Sequence, residues 1–533
     1  MSLSKGINAS STTSTKNRTP GSVSPFSGMC STCKGDCPGL CEVGKSAYRG
    51  REVIYPQPFG ETTFASEKDY PVDLSHFNIM GTALGAIGVD ADSNEAVFHN
   101  VNTGVALGPG KELKLKLPIV IPGMGSTRVA ADNWEGLAAG AALSGVILVI
   151  GENICGMDMK AKFKNGKIAD SPELKRRLET FNRWYNGYGA IVLQSNVEDT
   201  NFGVLEYALE ELEVKAVEIK WGQGAKSIGG EVKITDLDKA LELSKRGYIV
   251  YPDPENEEVQ SLFKKGIINE FERHSRVGMV DDAEFIHRVH ELRRQGAKYV
   301  FLKTGAYRPR DLARAIKLAS EAGVDLLTID GAGGGTGMSP WRMMNEWGLP
   351  TVHLASLAYN YLQVLNASNL YVPPVAFAGG LSLEDHLFKI LALGAPYFKL
   401  AGMARAPLTA AMVGANLESK MADGKLENSI KEKYGESKEE VFVLAEKLKK
   451  ERGIDLKELP PGALGVYTYF NRLSTGLQQL MCGARKFSPE YLERDDIGAL
   501  TEEAARISGI NYIMDMDYQD AVAILKRSLA AVV

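Results

Sequence analysis

The chain holds no apolar run long enough to cross a bilayer. The nearest, GLAAGAALSGVILVIG at 136–151, is short and glycine-rich; it reads as helix, turn and buried strand. The first residues carry no apolar core, so a secretory leader is not expected. Positive charge is not in excess either. The 61 Lys and Arg stand against 66 Asp and Glu, net −5, which offers no general basic face to nucleic acid or anionic lipid. Neither GxGxxG, GxxxxGK[ST] nor HExxH occurs. These absences argue for a cytoplasmic chain, exclude nucleic acid and membrane as partners, and leave no dinucleotide domain.

Cysteine is scarce, with six in 533 residues, and four of them crowd into CSTCKGDCPGLC. That is no distributed disulfide framework. Cys30, Cys33, Cys37 and Cys41 form C-x2-C-x3-C-x3-C, four thiolates in one tight loop, suited to a [4Fe-4S] cluster or to zinc. Cys155 and Cys482 stand alone and read as packing. His287 and His290 lie three apart on an expected helix without further ligands.

Residues 1–28 are rich in Ser and Thr and read as a disordered tail. Residues 29–116 carry the cysteine motif and then Gly- and Pro-punctuated chain, expected to wrap a larger domain as an arm. From 117 the texture changes. LPIVIPGMG (117–125), GVILVIGEN (145–153), GAIVLQSN (189–196), AVEIKWGQG (216–224), KYVFLKTG (298–305), VDLLTIDGAGG (324–334), PPVAFAGG (373–380) and PYFKLAGM (396–403) are each about the length of a strand buried on both faces. Helical spacers such as DLARAIKLASEAG separate them. Eight such runs predict an α/β fold, a (β/α)8 TIM barrel over 117–420, with a doubly wound sheet as the alternative. GYIVYPDP (247–254) falls in a longer insertion and spoils a clean count. Residues 421–533 read as a helical C-terminal extension.

A barrel of this kind keeps its site at the C-terminal strand ends. There the chain places Pro122, Gly123, Met124 and Gly125; Glu152; Lys220, Gln223 and Lys226; Lys303; and Asp330 ahead of GAGGGTG. Gly379, Gly380 and Gly402 follow, where barrels commonly hold a phosphate on backbone N–H groups. Lys303 inside YVFLKTG is a cation in an apolar strand, costly unless it meets an anion. A phosphate-bearing cofactor beside inward lysines suggests FMN, whose reduced anion a cation would stabilise. Pyridoxal phosphate or a sugar phosphate fits the same anion logic.

These phrases, in this order, resemble the FMN-binding synthase domain of glutamate synthases. The family's ISGHDGGTGASP is similar to IDGAGGGTGMSP (329–340), and its KIAQGAKPGEGG to KWGQGAKSIGG (220–230). AMSFGS resembles IPGMGSTR, TGEGG resembles GENICG, and the lysine of VKL corresponds to Lys303. GLQQLMCGARKFSPEYLERDDIGAL (476–500) resembles the family's final helical segment. The resemblance implies that 2-oxoglutarate and ammonia form 2-iminoglutarate, which takes hydride from FMN to give L-glutamate. It implies catalytic roles for Glu152, Lys303 and Gln223. It implies substrate carboxylates on Lys220, Lys226 and Lys233. It also implies FMN held by Pro122, Gly123, Met124, Gly125, Gln223, Lys303, Asp330, Gly331, Gly333, Gly334, Gly335, Thr336, Gly379, Gly380, Gly402 and Met403.

The chain also departs from that pattern. Ala332 and Gly333 replace the family's His-Asp pair, PGEGGQLPG shrinks to SIGGEV, and MARAPLTAAMVGAN (403–416) lacks the usual cluster cysteines. The N-terminal cysteines are expected to supply the missing iron–sulfur cluster, with zinc as the alternative. Electrons are then expected from ferredoxin or an electron-donating subunit. Nitrogen is expected from free ammonia or a separate glutaminase subunit. A different amino or oxo acid substrate, or a pure electron-transfer subunit, stays open.

Overall fold

A computed structural model describes residue 35 and residues 41–61, 63–66, 68–225, 228–334 and 338–527. Its centre is a closed barrel of eight parallel strands. In chain order these are Ile119–Met124, Ile147–Ile150, Ala190–Ser195, Ala216–Lys220, Tyr299–Thr304, Leu326–Asp330, Val375–Ala378 and Phe398–Gly402. Each pairs with the next, and the eighth closes on the first through Ala401 opposite Ile119. All eight fall inside the eight apolar runs, and the doubly wound alternative is set aside.

The alternation of a strand explains why those runs are apolar throughout. Val120, Val149, Val192, Phe301, Leu326, Ala376 and Leu400 point into the barrel. Their neighbours, such as Ile119, Leu148 and Val300, point out against the helices. At the N-terminal end of the barrel an antiparallel hairpin, Val105–Leu107 with Leu113–Leu115, stops the interior. Its Leu107, Leu113 and Leu115 join the inward-facing cluster, so part of the expected arm is core.

The long spacer between the fourth and fifth barrel strands is a small unit of its own. Glu231–Ile234, Phe271–His274 and Ile249–Tyr251 form an antiparallel sheet with Phe271–His274 in the middle. GYIVYPDP therefore lies outside the barrel, as the insertion reading expects. On the other flank, helix Ala463–Gly483 packs on Trp134–Ser144 and Arg405–Ala422. The contact depends on missing side chains: a Cβ on Gly465 would stand 2.4 Å from the Ala410 carbonyl oxygen. Phe77–Ile79 of the arm pairs antiparallel with Ile497–Ala499 of the C-terminal region. Among the described residues no helix is long and apolar enough to cross a membrane.

Candidate functional site

A cavity of about 770 Å³ opens at the C-terminal ends of the strands. The barrel forms its floor. The arm (Gly60, Thr63, Ala65) and the insertion (Glu231, Val232, Arg273) form its walls. The arm is clipped to the insertion: Arg51 pairs with Glu272, and the Tyr55 hydroxyl donates to Glu231 Oε2 at 2.6 Å.

Pro122, Gly123, Met124 and Gly125 line the floor where the first strand ends. Space there is tight: a Cβ on Gly123 would meet Gln194 Oε1 at 2.6 Å. Arg177, on helix Pro172–Trp184, donates to the carbonyl oxygens of Met124 at 2.9 Å and Gly125 at 3.2 Å. It is buried, stacked over Trp134 at 4.6 Å and paired with Glu173 at 2.8 Å. Sequence reasoning missed it, although Leu174, Leu178 and Phe181 mark its helix face as the buried one.

Glu152 follows the second strand and Lys220 ends the fourth. Lys220 Nζ donates to Glu152 Oε1 at 2.5 Å and to Gln223 Oε1 at 2.9 Å. Two distant parts of the chain thus meet here, with Glu152 and Gln223 lining the cavity and Lys220 joining them without lining it.

Lys303 sits 3.6 Å from Asp330 and is almost wholly buried. Beneath it lies Glu218, fully buried, accepting from Gln194 Nε2 at 2.5 Å and from Thr328 Oγ1 at 3.3 Å. Burial pushes the Glu218 carboxyl above its usual range, and the Lys303 charge opposes that shift. The ammonium therefore has two carboxyl neighbours inside the protein.

Gly333 and Gly334 line the cavity, and Ser66 of the arm donates its N–H to the Gly334 carbonyl at 3.2 Å. Gly331 lies below, where its N–H donates to the Ala378 carbonyl at 2.8 Å and a Cβ would meet Thr351 Cα at 2.8 Å. Gly335 and Thr336 lie outside the described residues, as does Lys226. Gly379, Gly380 and Gly402 line the far end of the cavity, with Gly379 at φ 131°. Met403 does not: it is buried, its sulfur 3.7 Å from the Tyr469 hydroxyl. Next to it Arg405 begins helix Arg405–Ala422 and lines the cavity; burial alone disfavours its charge.

Lys233 and the cysteine set are not part of this cavity among the described residues. Lys233 pairs with Glu270 at 2.6 Å on the insertion sheet and does not line the cavity. Cys30, Cys33 and Cys37 lie outside the described residues. Cys41 caps helix Glu42–Arg49, its Sγ accepting the Gly44 N–H at 3.3 Å. Among the described residues no three His, Cys, Asp or Glu side chains come together as a metal site. Cys155 is buried and its thiol is pushed up by burial, so it is inert packing. His287 and His290 are exposed on helix Asp282–Arg294.

The insertion contributes a residue that the sequence did not reveal. Arg273 lines the cavity yet is 1% exposed. Its guanidinium stacks over Tyr248 at 4.8 Å and donates to Ser275 Oγ at 2.6 Å and Asn153 Oδ1 at 3.3 Å. Among the described residues it has no hydrogen-bonded carboxylate, and burial disfavours its charge. Such a group is suited to receive an anion from the cavity.

Residues 272–415 match the family model of the conserved region in glutamate synthase. It is 27% identical over 192 residues to the glutamate synthase large subunit-like protein YerD of Bacillus subtilis (strain 168). That match covers 36% of this chain and 33% of the relative, about a third of its length. Among solved structures, it is similar to the flavin-binding domain of baker's yeast flavocytochrome b2, at 13% identity and a TM-score of 0.45, over 85% of this chain and 82% of that one. It is also similar to (S)-mandelate dehydrogenase, at 12% identity and a TM-score of 0.42, over 80% and 89%.

Proposed function

We propose that this barrel is an FMN-dependent oxidoreductase of glutamate synthase type, which reductively aminates 2-oxoglutarate to L-glutamate. The observation that carries this is a cavity wall that presents Glu152 and Gln223, tied together through Lys220 behind them, facing a wall that presents Arg273.

The residues present fit a flavin mononucleotide. Gly379, Gly380 and Gly402 leave backbone bare at the end where Arg405 stands without an ion pair among the described residues. That end suits the phosphate. Lys303 lies along the floor, suited to an anionic reduced ring. When bound, FMN supplies a hydride for the carbon of an imine.

The remaining work belongs to the chain. Arg273 binds a substrate carboxylate by charge-assisted hydrogen bonds. Lys220 and Gln223 orient Glu152, which holds or releases the proton that the substrate nitrogen exchanges. Met124, Met338 and Leu381 give the cavity an apolar lining that excludes water. The four-cysteine set is proposed as an iron–sulfur site; Cys41 Sγ already accepts a backbone N–H, as cluster sulfurs do. Ferredoxin or an electron-donating subunit is the proposed donor. Free ammonia or a separate glutaminase subunit is the proposed nitrogen source.

A second reading keeps the flavin and changes the oxo acid. Glu231 favours it, because its residue lines the same wall as Arg273, and a carboxylate there opposes a second substrate carboxylate.

Anaerobic absorption spectra test the proposal. Flavin bands bleached on reduction, then restored only when 2-oxoglutarate and ammonium are both added, are the expected result. Restoration by another oxo acid alone would move the assignment to the second reading. A protein that takes up no FMN would refute both.

A further inference from the structure

Asn153 stands immediately after Glu152 in a left-handed conformation, φ 65°, which few residues other than glycine adopt readily. Its N–H belongs to the peptide that links it to Glu152. That N–H donates to both carboxylate oxygens of Asp199, at 2.9 and 3.2 Å. Asp199 sits on the short helix Val197–Asn201 behind the third barrel strand and is wholly buried. Its Oδ2 also accepts the Asn196 N–H at 3.3 Å. The Asn153 side chain reaches the other way: its Oδ1 accepts from Arg273 at 3.3 Å and from the Tyr248 hydroxyl at 3.3 Å.

One residue therefore links the two groups that grip the substrate in the reading above. We propose that Asp199 is a positioning residue, which clamps the Glu152–Asn153 peptide and so sets the distance between the Glu152–Lys220 pair and the Arg273 guanidinium. Fixing that peptide plane fixes ψ of Glu152 and φ of Asn153 together. The first directs the Glu152 side chain toward Lys220. The second holds Oδ1 where Arg273 meets it. A buried carboxylate is an expensive way to hold one N–H, since it must be taken out of water. Its two oxygens both grip the Asn153 N–H, and Oδ2 accepts the Asn196 N–H at the same time.

The charged and titratable groups facing Asp199 are Glu152 beyond the second strand, Cys155 on the following helix, Arg273 and Tyr248 from the insertion, and Glu198 on its own helix. Glu198 is taken up by Arg276, which leaves Arg273 as the cation that favours an ionised Asp199.

The inference rests on Arg273 being the anion anchor, so the test separates the two. Titration calorimetry of the FMN-loaded protein with pyruvate, oxaloacetate and 2-oxoglutarate gives affinities that need no turnover. Asp199→Asn should weaken the best-bound acid by about tenfold at about pH 8, the worth of one charge-assisted contact. Wild-type affinity should decline from about pH 8 to about pH 6 as Asp199 takes up its proton, and the variant should be flat over that range. Arg273→Met should also weaken binding. If Arg273→Met weakens it and Asp199→Asn does not, the positioning role is wrong and the substrate reading survives. If neither variant changes affinity, or the wild type binds none of the three acids, the substrate reading fails and this inference with it. Should Asp199→Asn not fold, Asn153→Gly decides: it keeps the left-handed backbone and the N–H, removes the Oδ1 acceptor, and should weaken binding too. Unchanged affinity in Asn153→Gly would overturn the link to Arg273.

Discussion

Lys220 Nζ reaches Glu152 Oε1 at 2.5 Å across the top of the third barrel strand, from the end of the fourth to the end of the second. Parallel strands make such a contact possible. Every strand of the barrel delivers its last residue to the same rim, so residues 68 apart in sequence become neighbours. The pair is partly buried, and Gln223 takes a second donor position of the same ammonium.

Glu152→Gln tests the proton role of that carboxylate. The amide keeps the shape and an oxygen for Lys220 but exchanges no proton at neutral pH. Turnover should fall by about 10²–10⁴-fold, the usual worth of a general acid–base group. Flavin content, read from the absorbance of the released cofactor, should not change. A variant that loses its flavin would show that Glu152 serves cofactor binding instead.

Lys303 is more than a cofactor contact. The sequence reading placed it at the flavin on the ground that a cation in an apolar strand needs an anion, and the structure supplies Asp330 and Glu218. Lys303→Met would strand Glu218 in the barrel interior. Removing one partner from a buried charge pair typically costs about 3–5 kcal/mol. The melting temperature should drop markedly, and Lys303→Met with Glu218→Gln should recover most of the loss while flavin affinity stays low. Equal instability of the single and double variants would argue that the two charges do not depend on one another.

Gly379 is the sharpest test of the cradle at the seventh strand. With φ at 131°, a conformation that side chains rarely adopt, its Cβ would stand 2.4 Å from Thr351 Oγ1. That hydroxyl is itself bound to the Ala332 and Gly379 carbonyls. Gly379→Ala should cost about 1–3 kcal/mol in strain and raise the FMN dissociation constant. Fluorescence titration of the apoprotein with FMN checks it; unchanged affinity would place the phosphate elsewhere.

The barrel was legible because a strand buried on both faces must be apolar at every position, and eight such runs leave few architectures. The rim was legible for a related reason. Glu152, Lys220, Gln223 and Lys303 stand out against those runs. Where the buried residues are themselves polar, the signal fades. Phe271–His274 is FERH, three charged or polar residues in four, and nothing in that string marks Arg273 as 1% exposed. Lys233 misled because its partner, Glu270, lies 37 residues away in the chain, and the string around it does not show that pairing. Glu218 could have been found by the rule applied to Lys303, since it too is a charge set between apolar residues of a strand-like run. Arg177 could have been found from the apolar spacing of its helix.

Asp199 also gives the stability of the protein a pH dependence with a definite sign. Burial pushes its carboxyl up to about 7, against the bonds from Asn153 and Asn196 that lower it. In the unfolded chain an aspartate titrates near about 4. The folded state therefore holds its proton more tightly. The contribution to stability is complete below about pH 4 and is lost as pH rises to about 7. Across that window the ionised wild type gives up on the order of 4 kcal/mol, a loss that a neutral side chain does not share. Asp199→Asn also forfeits acceptor strength toward the Asn153 N–H, but that cost is the same at every pH. The melting temperature of the variant minus that of the wild type should thus rise between about pH 5 and about pH 8. Thermal unfolding followed by circular dichroism at the two pH values measures it. A difference that stays level or falls would mean that the Asp199 carboxylate is ionised in the folded protein well below neutrality, held there by Arg273 and its two N–H donors.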